Sequence, residues 1–345
     1  MRQVRPHEQA EPSADARAGV GPDFVTSASH PTASEQSGDL RSGGTWSRRQ
    51  RLKNDLLWAA GRTALAMARP LPLCVLRAAG RLLGIIVHAL SARARRRALA
   101  NVERVLPQLE PDARRAFVRL CFSTMGELLG ETTSLLRDDG RPAPLPVSDE
   151  ALDTLREALA RGRGVLFVSA HLGPWERVAG SLVSAGMPLV VLARESYDPR
   201  FSALYEQIRR RAGIPVIWRS GATAPFALVR ALRRGAILGI PMDLKSRVPS
   251  RSVPFLGQPA PTPIGPARIA LRAKCAVVVG TVEPSDDEMR LTVTATPIDT
   301  EGLAADDAGA LELTSRINAE LSRRILRLPH AWVWMHDRWT APDHV

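Results

Sequence analysis

The chain has few cysteines, and those it has are widely separated. Its 345 residues contain three, at Cys74, Cys121 and Cys275. Such spacing excludes a dense disulfide framework and a CxxC-type zinc site. It is typical of a protein that works in a reducing compartment.

Lysine is also scarce, since only three of the 47 basic residues are lysines. Together with the many alanines, this indicates a compositional bias, so a single arginine carries less information than usual. The formal net charge of +12 nevertheless favours an anionic partner, such as a phospholipid surface, nucleic acid or a phosphorylated substrate. A nucleic-acid partner is disfavoured, because the sequence shows no helix-turn-helix, zinc or RNP-type signature and its charge is spread along the chain.

Residues 1–48 lack a continuous apolar run, which argues against a secretory signal peptide. They are rich in Gly, Ser, Pro, Ala, Glu and Arg without an apolar period, and this composition predicts a disordered tail. The whole chain is 45% hydrophobic and 24% charged, so the remainder can bury a sizeable core. The length alone predicts about two domains.

Residues 49–98 are predicted to form a membrane-associated helical segment. Leu56–Met67 and Leu71–Leu90 are apolar, but arginines interrupt both. A central arginine costs about 2.5–3.5 kcal/mol on insertion scales, which makes a clean transmembrane span doubtful. Arg77 and Arg81 share one helix face, so we expect a helix in the membrane interface with its arginines toward lipid phosphates. The alternative is an amphipathic helix packed on the core of the domain that follows it.

The rest of the chain alternates between short apolar runs and helical patterns. A proline-rich connector at 138–148 precedes this region. Predicted strands are Val165–Ser169, Leu189–Ala193, Ile214–Trp218, Ala236–Ile240 and Ala276–Val282, with Met289–Ala295 as a further paired strand. The alternation predicts an α/β fold with a mostly parallel central sheet flanked by helices. We therefore expect a single α/β domain over 99–342, which replaces the two-domain expectation.

The most informative segment is Ser169–Glu176, in which His171 follows a buried-type strand. In α/β sheets, ligands gather at the carboxyl ends of strands. If a loop follows His171 and Trp175 opens a helix, Glu176 can turn back to the imidazole. A carboxylate on one ring nitrogen fixes the tautomer and leaves the other nitrogen as a general base. The alternative is a His and a Glu in a loop, each merely solvated or capping.

The segment His171–Glu176 resembles the H-x4-D/E motif of the membrane-associated acyltransferases. Within them it is similar to the lipid A biosynthesis (lauroyl/myristoyl) acyltransferases, which use Glu at the second position. Ile240–Asp243 resembles that family's strand-end Asp block, although Leu244 replaces the usual Gln. Val253–Pro266 and His330–Trp339 resemble two later blocks, the second without its Gln. The four blocks occur in order over most of the chain.

This resemblance implies a glycerophosphate-acyltransferase-like fold and an O-acyl transfer. A fatty acyl group would pass from acyl-carrier protein, or from coenzyme A, to a hydroxyl of a lipid A precursor. His171 would deprotonate the hydroxyl and Glu176 would orient and charge-balance His171, with no resident cofactor and no metal. Backbone N–H groups where the Trp175 helix starts, or an arginine, would stabilise the oxyanion. The implied location is the cytoplasmic face of the inner membrane, with acyl-carrier protein and a membrane lipid as partners.

The resemblance also implies further binding residues. The family has an arginine between the His171–Glu176 motif and the Ile240–Asp243 block, and it is expected to bind a phosphate or the thioester oxygen. Arg209 and Arg210 match its position best, although Arg211 is adjacent. The alternative is a basic helix end that favours the helix dipole. Asp243 is expected to be a polar support of the site. Lys245 and Arg247 are expected to meet phosphates of the acceptor or the carrier.

For the C-terminal aromatic residues, core packing is favoured over lipid contact, and His336 is expected to be structural. Two functional alternatives remain. The same transfer could use another acceptor, such as a glycerophospholipid, a mannosylated phosphoinositide or an aminolipid, because Leu244 departs from the family pattern. The chain could also be a non-catalytic lipid-binding relative, against which the intact His171 and Glu176 argue.

Overall fold

The computed structural model describes residues 45–137, 142–219, 223–246, 248–285 and 290–340. Most of the predicted tail therefore lies outside the described residues, as does Arg247. Within these ranges the chain has an α/β fold with ten helices, one six-stranded sheet and one two-stranded sheet. The predicted α/β fold class with a mostly parallel sheet is confirmed.

Of the ten helices in the described ranges, five precede the first strand in the chain and five come after it, between or following the strands. They are α1 Arg48–Ala68, α2 Leu73–Leu90, α3 Ala92–Val105, α4 Pro111–Ser134, α5 Asp149–Ala160, α6 Trp175–Ser184, α7 Pro199–Arg211, α8 Ala224–Arg233, α9 Gly265–Ala273 and α10 Asp307–Arg327. A short 3-10 helix, Pro329–Ala331, follows the last of them.

The strands of the large sheet lie in the order β3-β2-β4-β1-β7-β8. They are β1 Val165–Ser169, β2 Leu189–Ala193, β3 Val216–Trp218, β4 Ile237–Pro241, β7 Ala276–Pro284 and β8 Leu291–Ile298. All neighbours are parallel except β8, which is antiparallel to β7. Central strand β1 is buried along four of its five residues, which explains its continuous apolar sequence.

A β-hairpin that the sequence did not predict forms the second sheet. It pairs β5 Ser250–Phe255 with β6 Gln258–Pro263, and Leu256 and Gly257 make the turn with positive φ at both residues. Two residues with positive φ are what a tight two-residue hairpin turn requires. Prolines in both strands concealed the hairpin, because proline is normally confined to sheet edges. A two-stranded sheet consists of edges only, so it tolerates them.

Helices α2 and α4 approach each other through glycines. A Cβ atom placed on Gly80 would lie 2.2 Å from the Gly126 carbonyl oxygen, and one on Gly84 would lie 2.1 Å from the Phe122 carbonyl oxygen. Small residues spaced four apart allow helix backbones to come this close. The packing of α2 on α4 therefore depends on the absence of side chains at these positions.

This packing corrects the expected direction of the arginines on α2. Arg77 Nη2 lies 2.7 Å from Glu131 Oε2, and Arg81 Nη2 lies 2.7 Å from Glu127 Oε2, both on α4. The arginine face is thus directed to carboxylates of the protein rather than to lipid phosphates. Exposed apolar side chains remain elsewhere on α2, at Leu82, Leu83, Ile86, Val87 and Leu90.

Among the described helices, α2 alone is long and apolar enough to cross a membrane, judged by length and composition, and 17% of it is buried in the protein. The division into segments 1–48, 49–98 and 99–342 stays a prediction. Helix α1 begins at Arg48, and α3 runs without interruption through the second of these boundaries.

We expect Gly80→Ala to lower the free energy of unfolding by about 1–3 kcal/mol, because its methyl group forces α2 away from α4. Gly61→Ala on α1 is the matched control, since a Cβ atom there meets nothing within 4 Å. Chemical denaturation of both variants measures the difference. A Gly80→Ala protein as stable as Gly61→Ala would contradict the glycine-dependent packing.

Candidate active site

His171 and Asp243 meet because of the register between two parallel strands. Ser169 at the end of β1 is paired with Pro241 at the end of β4, and each of the two polar residues follows two positions later. The backbone N–H of His171 donates to Asp243 Oδ2 over 2.9 Å. The imidazole Nδ1 lies 2.9 Å from Asp243 Oδ1. The pair therefore lies at the carboxyl ends of the strands, where ligands bind in α/β sheets.

Trp332 supplies a third donor to the same carboxylate. Its Nε1 donates to Asp243 Oδ2 over 2.9 Å, and both side chains are fully buried. A short bridge between Leu172 and Trp332 holds this part of the C-terminal segment against the loop after His171. The carboxylate of Asp243 is thus held by N–H groups from two separate parts of the chain.

The two groups shift each other's pKa in opposite directions. For His171 the largest single influence is burial, which lowers the pKa, but the charge and hydrogen bond of Asp243, together with the charge of Glu176, outweigh it and raise the pKa. For Asp243 burial again opposes, but the charge of His171 and the three hydrogen bonds lower the pKa below its usual value. The arrangement therefore makes the His171 imidazole a stronger base and favours the ionised form of the Asp243 carboxylate.

Glu176 does not take the position predicted for it. It lies in the first turn of α6 and is nearly buried, where Arg209 Nη2 donates to its Oε1 over 2.8 Å and Arg209 Nε to its Oε2 over 3.2 Å. Among the described hydrogen bonds none joins Glu176 to His171. The prediction that Glu176 orients the imidazole is therefore corrected, since Asp243 makes that contact. The charge of Glu176 still raises the pKa of His171.

Of the three consecutive arginines, the structure brings Arg209 to the site. Arg210 is exposed, and Arg211 Nη1 donates to the carbonyl of Leu136. One turn earlier on α7, the ring of Tyr205 lies 5.9 Å from the guanidinium carbon of Arg209. Tyr205 was not predicted as part of the site, and only its four-residue spacing from Arg209 could have indicated it.

Two predicted phosphate contacts remain untested. Lys245 is half-buried two residues after Asp243, just beyond β4. Arg247 lies outside the described residues. Their proposed role toward phosphates stays a prediction.

Trp175 borders the imidazole. Its ring stands edge-on to that of His171, with centroids 5.3 Å apart. Its backbone N–H donates to the carbonyl of Gly173 over 2.9 Å, so the expected oxyanion donor at this residue is already engaged. Gly173 has φ +59°, and a Cβ atom there would lie 2.7 Å from Val282 Cγ2, so the turn requires glycine.

The predicted core packing of the aromatic tail is confirmed, because Trp332, Trp334 and Trp339 are all buried. They follow a 3-10 helix rather than forming a strand. Asn101 on α3 secures the segment, since its Nδ2 donates to the carbonyls of Trp334 and His336 over 2.8 Å each. The contact of Trp332 with Asp243 was not anticipated, although the dense tryptophan block was the signal for it.

In the described ranges no three His, Cys, Asp or Glu side chains are grouped so that they could hold a metal ion. The expectation of an acyl transfer without metal or cofactor stays a prediction.

A protein-family model described as bacterial lipid A biosynthesis acyltransferase matches residues 47–341 of the chain. The match includes every residue of the site described above. No curated protein matches the chain.

We expect Asp243→Asn to lower the pKa of His171. The substitution removes the charge that raises this pKa and leaves burial, the largest influence, which lowers it. Titration of the imidazole nitrogens by NMR measures the change. Asp153→Asn, at an exposed ion pair with Arg156, is the control. An unchanged or higher His171 pKa in Asp243→Asn would contradict the assigned electrostatics.

Proposed function

This chain belongs to the bacterial lipid A biosynthesis acyltransferase family, and on that premise we propose the reaction that it catalyses. It transfers a fatty acyl group from the thioester of acyl-carrier protein, or of coenzyme A, to a hydroxyl of a lipid A precursor. The family match supports acyl transfer as the reaction class. The observation that carries the assignment to this site is the contact of His171 Nδ1 with the buried carboxylate of Asp243.

In the proposed mechanism His171 is the general base. Asp243 accepts from Nδ1, so Nε2 is the nitrogen directed to the acceptor hydroxyl. Nε2 removes the hydroxyl proton as the oxygen forms a bond to the thioester carbonyl carbon. Collapse of the tetrahedral intermediate breaks the C–S bond, and the leaving sulfur takes the proton from the imidazolium. The products are an acyl ester and the free thiol of the carrier, and Asp243 stabilises the transient imidazolium.

The Glu176–Arg209 pair has a second role in this proposal. Glu176 adds negative charge near His171, and this charge favours the imidazolium. Because two N–H groups of Arg209 are bound to Glu176, the guanidinium has a fixed orientation. The remaining N–H groups of Arg209 bind a phosphate of the acceptor or the carbonyl oxygen of the thioester, and Lys245 and Arg247 contribute further positive charge.

We expect His171→Ala to abolish transfer, because loss of a general base costs roughly 10²–10⁴-fold in rate. The assay follows a radiolabelled acyl chain from acyl-carrier protein to a lipid A precursor in detergent micelles, with circular dichroism to confirm folding. Glu176→Gln should reduce transfer less severely, since its carboxylate does not contact the imidazole. Undiminished transfer by folded His171→Ala protein would refute the mechanism.

The lipid acceptor is tested in cells that lack the gene. Their lipids are compared by mass spectrometry after complementation with the wild-type or the His171→Ala gene. Loss of one acyl chain from lipid A, restored only by the wild-type gene, supports the proposal. The same loss in a glycerophospholipid, a mannosylated phosphoinositide or an aminolipid would reassign the acceptor and retain the chemistry.

We also propose that the protein works at the cytoplasmic face of the inner membrane. Support comes from the exposed apolar residues of α2 and from exposed Leu52, Leu56 and Leu57 on α1. Both helices precede the α/β region in the chain, and the formal net charge of +12 favours an anionic leaflet.

We expect the double variant Leu83→Asp, Ile86→Asp to reduce binding to anionic phospholipid vesicles by at least about tenfold, because two apolar contacts are lost. Leu311→Asp, Leu326→Asp on α10 is the control. Exposure is 46% and 43% for the test pair and 39% and 46% for the control pair. Vesicle flotation measures the bound fraction. Equal binding by the two double variants would contradict a membrane contact through α2.

A further inference from the structure

One buried carboxylate connects three helices. Glu131 on α4 is 6% exposed. Its Oε2 accepts from Arg77 Nε over 3.0 Å and from Arg77 Nη2 over 2.7 Å, and Arg77 belongs to α2. Its Oε1 accepts from Nη1 of Arg177, which belongs to α6. Glu131 thus holds the exposed apolar helix and the helix beside the active site at the same time.

Arg177 lies in the turn that borders the proposed general base. The two residues before it are Trp175, whose ring stands against His171, and Glu176, which holds Arg209. The Arg177 side chain is 13% exposed, and its Nη2 also donates to the Ala143 carbonyl over 2.6 Å. Both terminal nitrogens of its guanidinium, Nη1 and Nη2, therefore have hydrogen-bond partners, and these contacts hold the first turn of α6.

We propose that Glu131 is a positioning residue for the acyl transfer, which holds the first turn of α6 through Arg177 and joins that turn to α2 through Arg77. The inference rests on the proposed function, since it assigns Glu131 to the reaction of His171. Glu131 touches neither His171 nor any group expected to react. It acts by keeping Trp175 and Glu176 in place around the imidazole.

Glu127 provides a matched control within the same helix pair. It precedes Glu131 by one turn of α4 and accepts from Arg81 of α2, with Nε at 3.2 Å and Nη2 at 2.7 Å. The two pairs thus have similar geometry and connect the same helices. They differ in burial, since the Glu127 side chain is 28% exposed and that of Glu131 6%, and in that Glu131 also binds the active-site helix.

The first experiment compares Glu131→Gln with Glu127→Gln in the acyl-transfer assay. We expect Glu131→Gln to lower kcat by roughly tenfold or more, since small displacements of catalytic groups are costly. KM should change by a smaller factor than kcat, because Glu131 itself contacts no substrate. Glu127→Gln should leave both constants near wild type. Rates are divided by the folded fraction, so that lost stability is not counted as lost catalysis.

Arg177→Gln tests the link from the other side and serves also where Glu131→Gln fails to fold. We expect it to lower kcat as Glu131→Gln does. The double variant should have a kcat no lower than that of the more affected single variant, because both substitutions remove the same Glu131–Arg177 interaction. Additive losses, or a kcat near wild type in folded Glu131→Gln or Arg177→Gln protein, would overturn the proposal.

A second readout needs no substrate. Diethylpyrocarbonate modifies the His171 imidazole, and peptide mass spectrometry gives the rate at that residue. Displacement of Trp175 should change this rate in Glu131→Gln and Arg177→Gln but not in Glu127→Gln. An unchanged labelling rate in Glu131→Gln and Arg177→Gln would overturn the inference. If the wild-type protein transfers no acyl group, the proposed function fails, while the labelling still decides whether Glu131 positions α6.

Discussion

The carboxylate of Asp243 is the contact on which the arrangement of the site depends. It accepts from the backbone N–H and the ring of His171 at the end of β1, and from the indole of Trp332 in the C-terminal segment. A buried carboxylate is strongly unfavourable unless its oxygens are hydrogen-bonded. The burial of Asp243 therefore requires β1, β4 and the tryptophan block to keep their relative positions. Two of the three donors belong to His171, so the same carboxylate also orients the imidazole.

Ion pairs between helices connect the elements that surround the site. Glu176 and Arg209 connect α6 to α7, and Glu131 connects α2, α4 and α6 through two arginines. Buried ion pairs add little net stability, but the loss of one partner leaves an uncompensated charge. Here they connect the helices around His171 to one another. They also show that part of the positive charge is neutralised within the protein, since Arg77 and Arg81, which were expected to face lipid phosphates, bind carboxylates of α4.

Strands with a continuous apolar sequence could be predicted from the sequence. Strands β1 and β2 have the bounds expected from their apolar runs. For β1 the reason is burial along four of its five residues, since a central parallel strand needs continuous apolar residues. The hairpin β5–β6 was missed, because three of the six residues of β6 are prolines, and proline argues against a strand. Arg209 was anticipated as one of two candidates, but no local pattern separates it from Arg210. That choice depends on how α7 is rotated against α6.

From its amino acids alone, the chain is recognisable as an α/β protein in which His171 follows a buried strand and starts a loop. Nearness in sequence pointed to Glu176 as the carboxylate partner, and this was wrong. The partner is Asp243, 72 residues further along, because the parallel register of β1 and β4 aligns the residues that follow their ends. Hydrogen bonding between strands sets that alignment, and it cannot be read from either segment separately. Glu176 instead faces α7, where Arg209 offers it a matching pair of N–H donors.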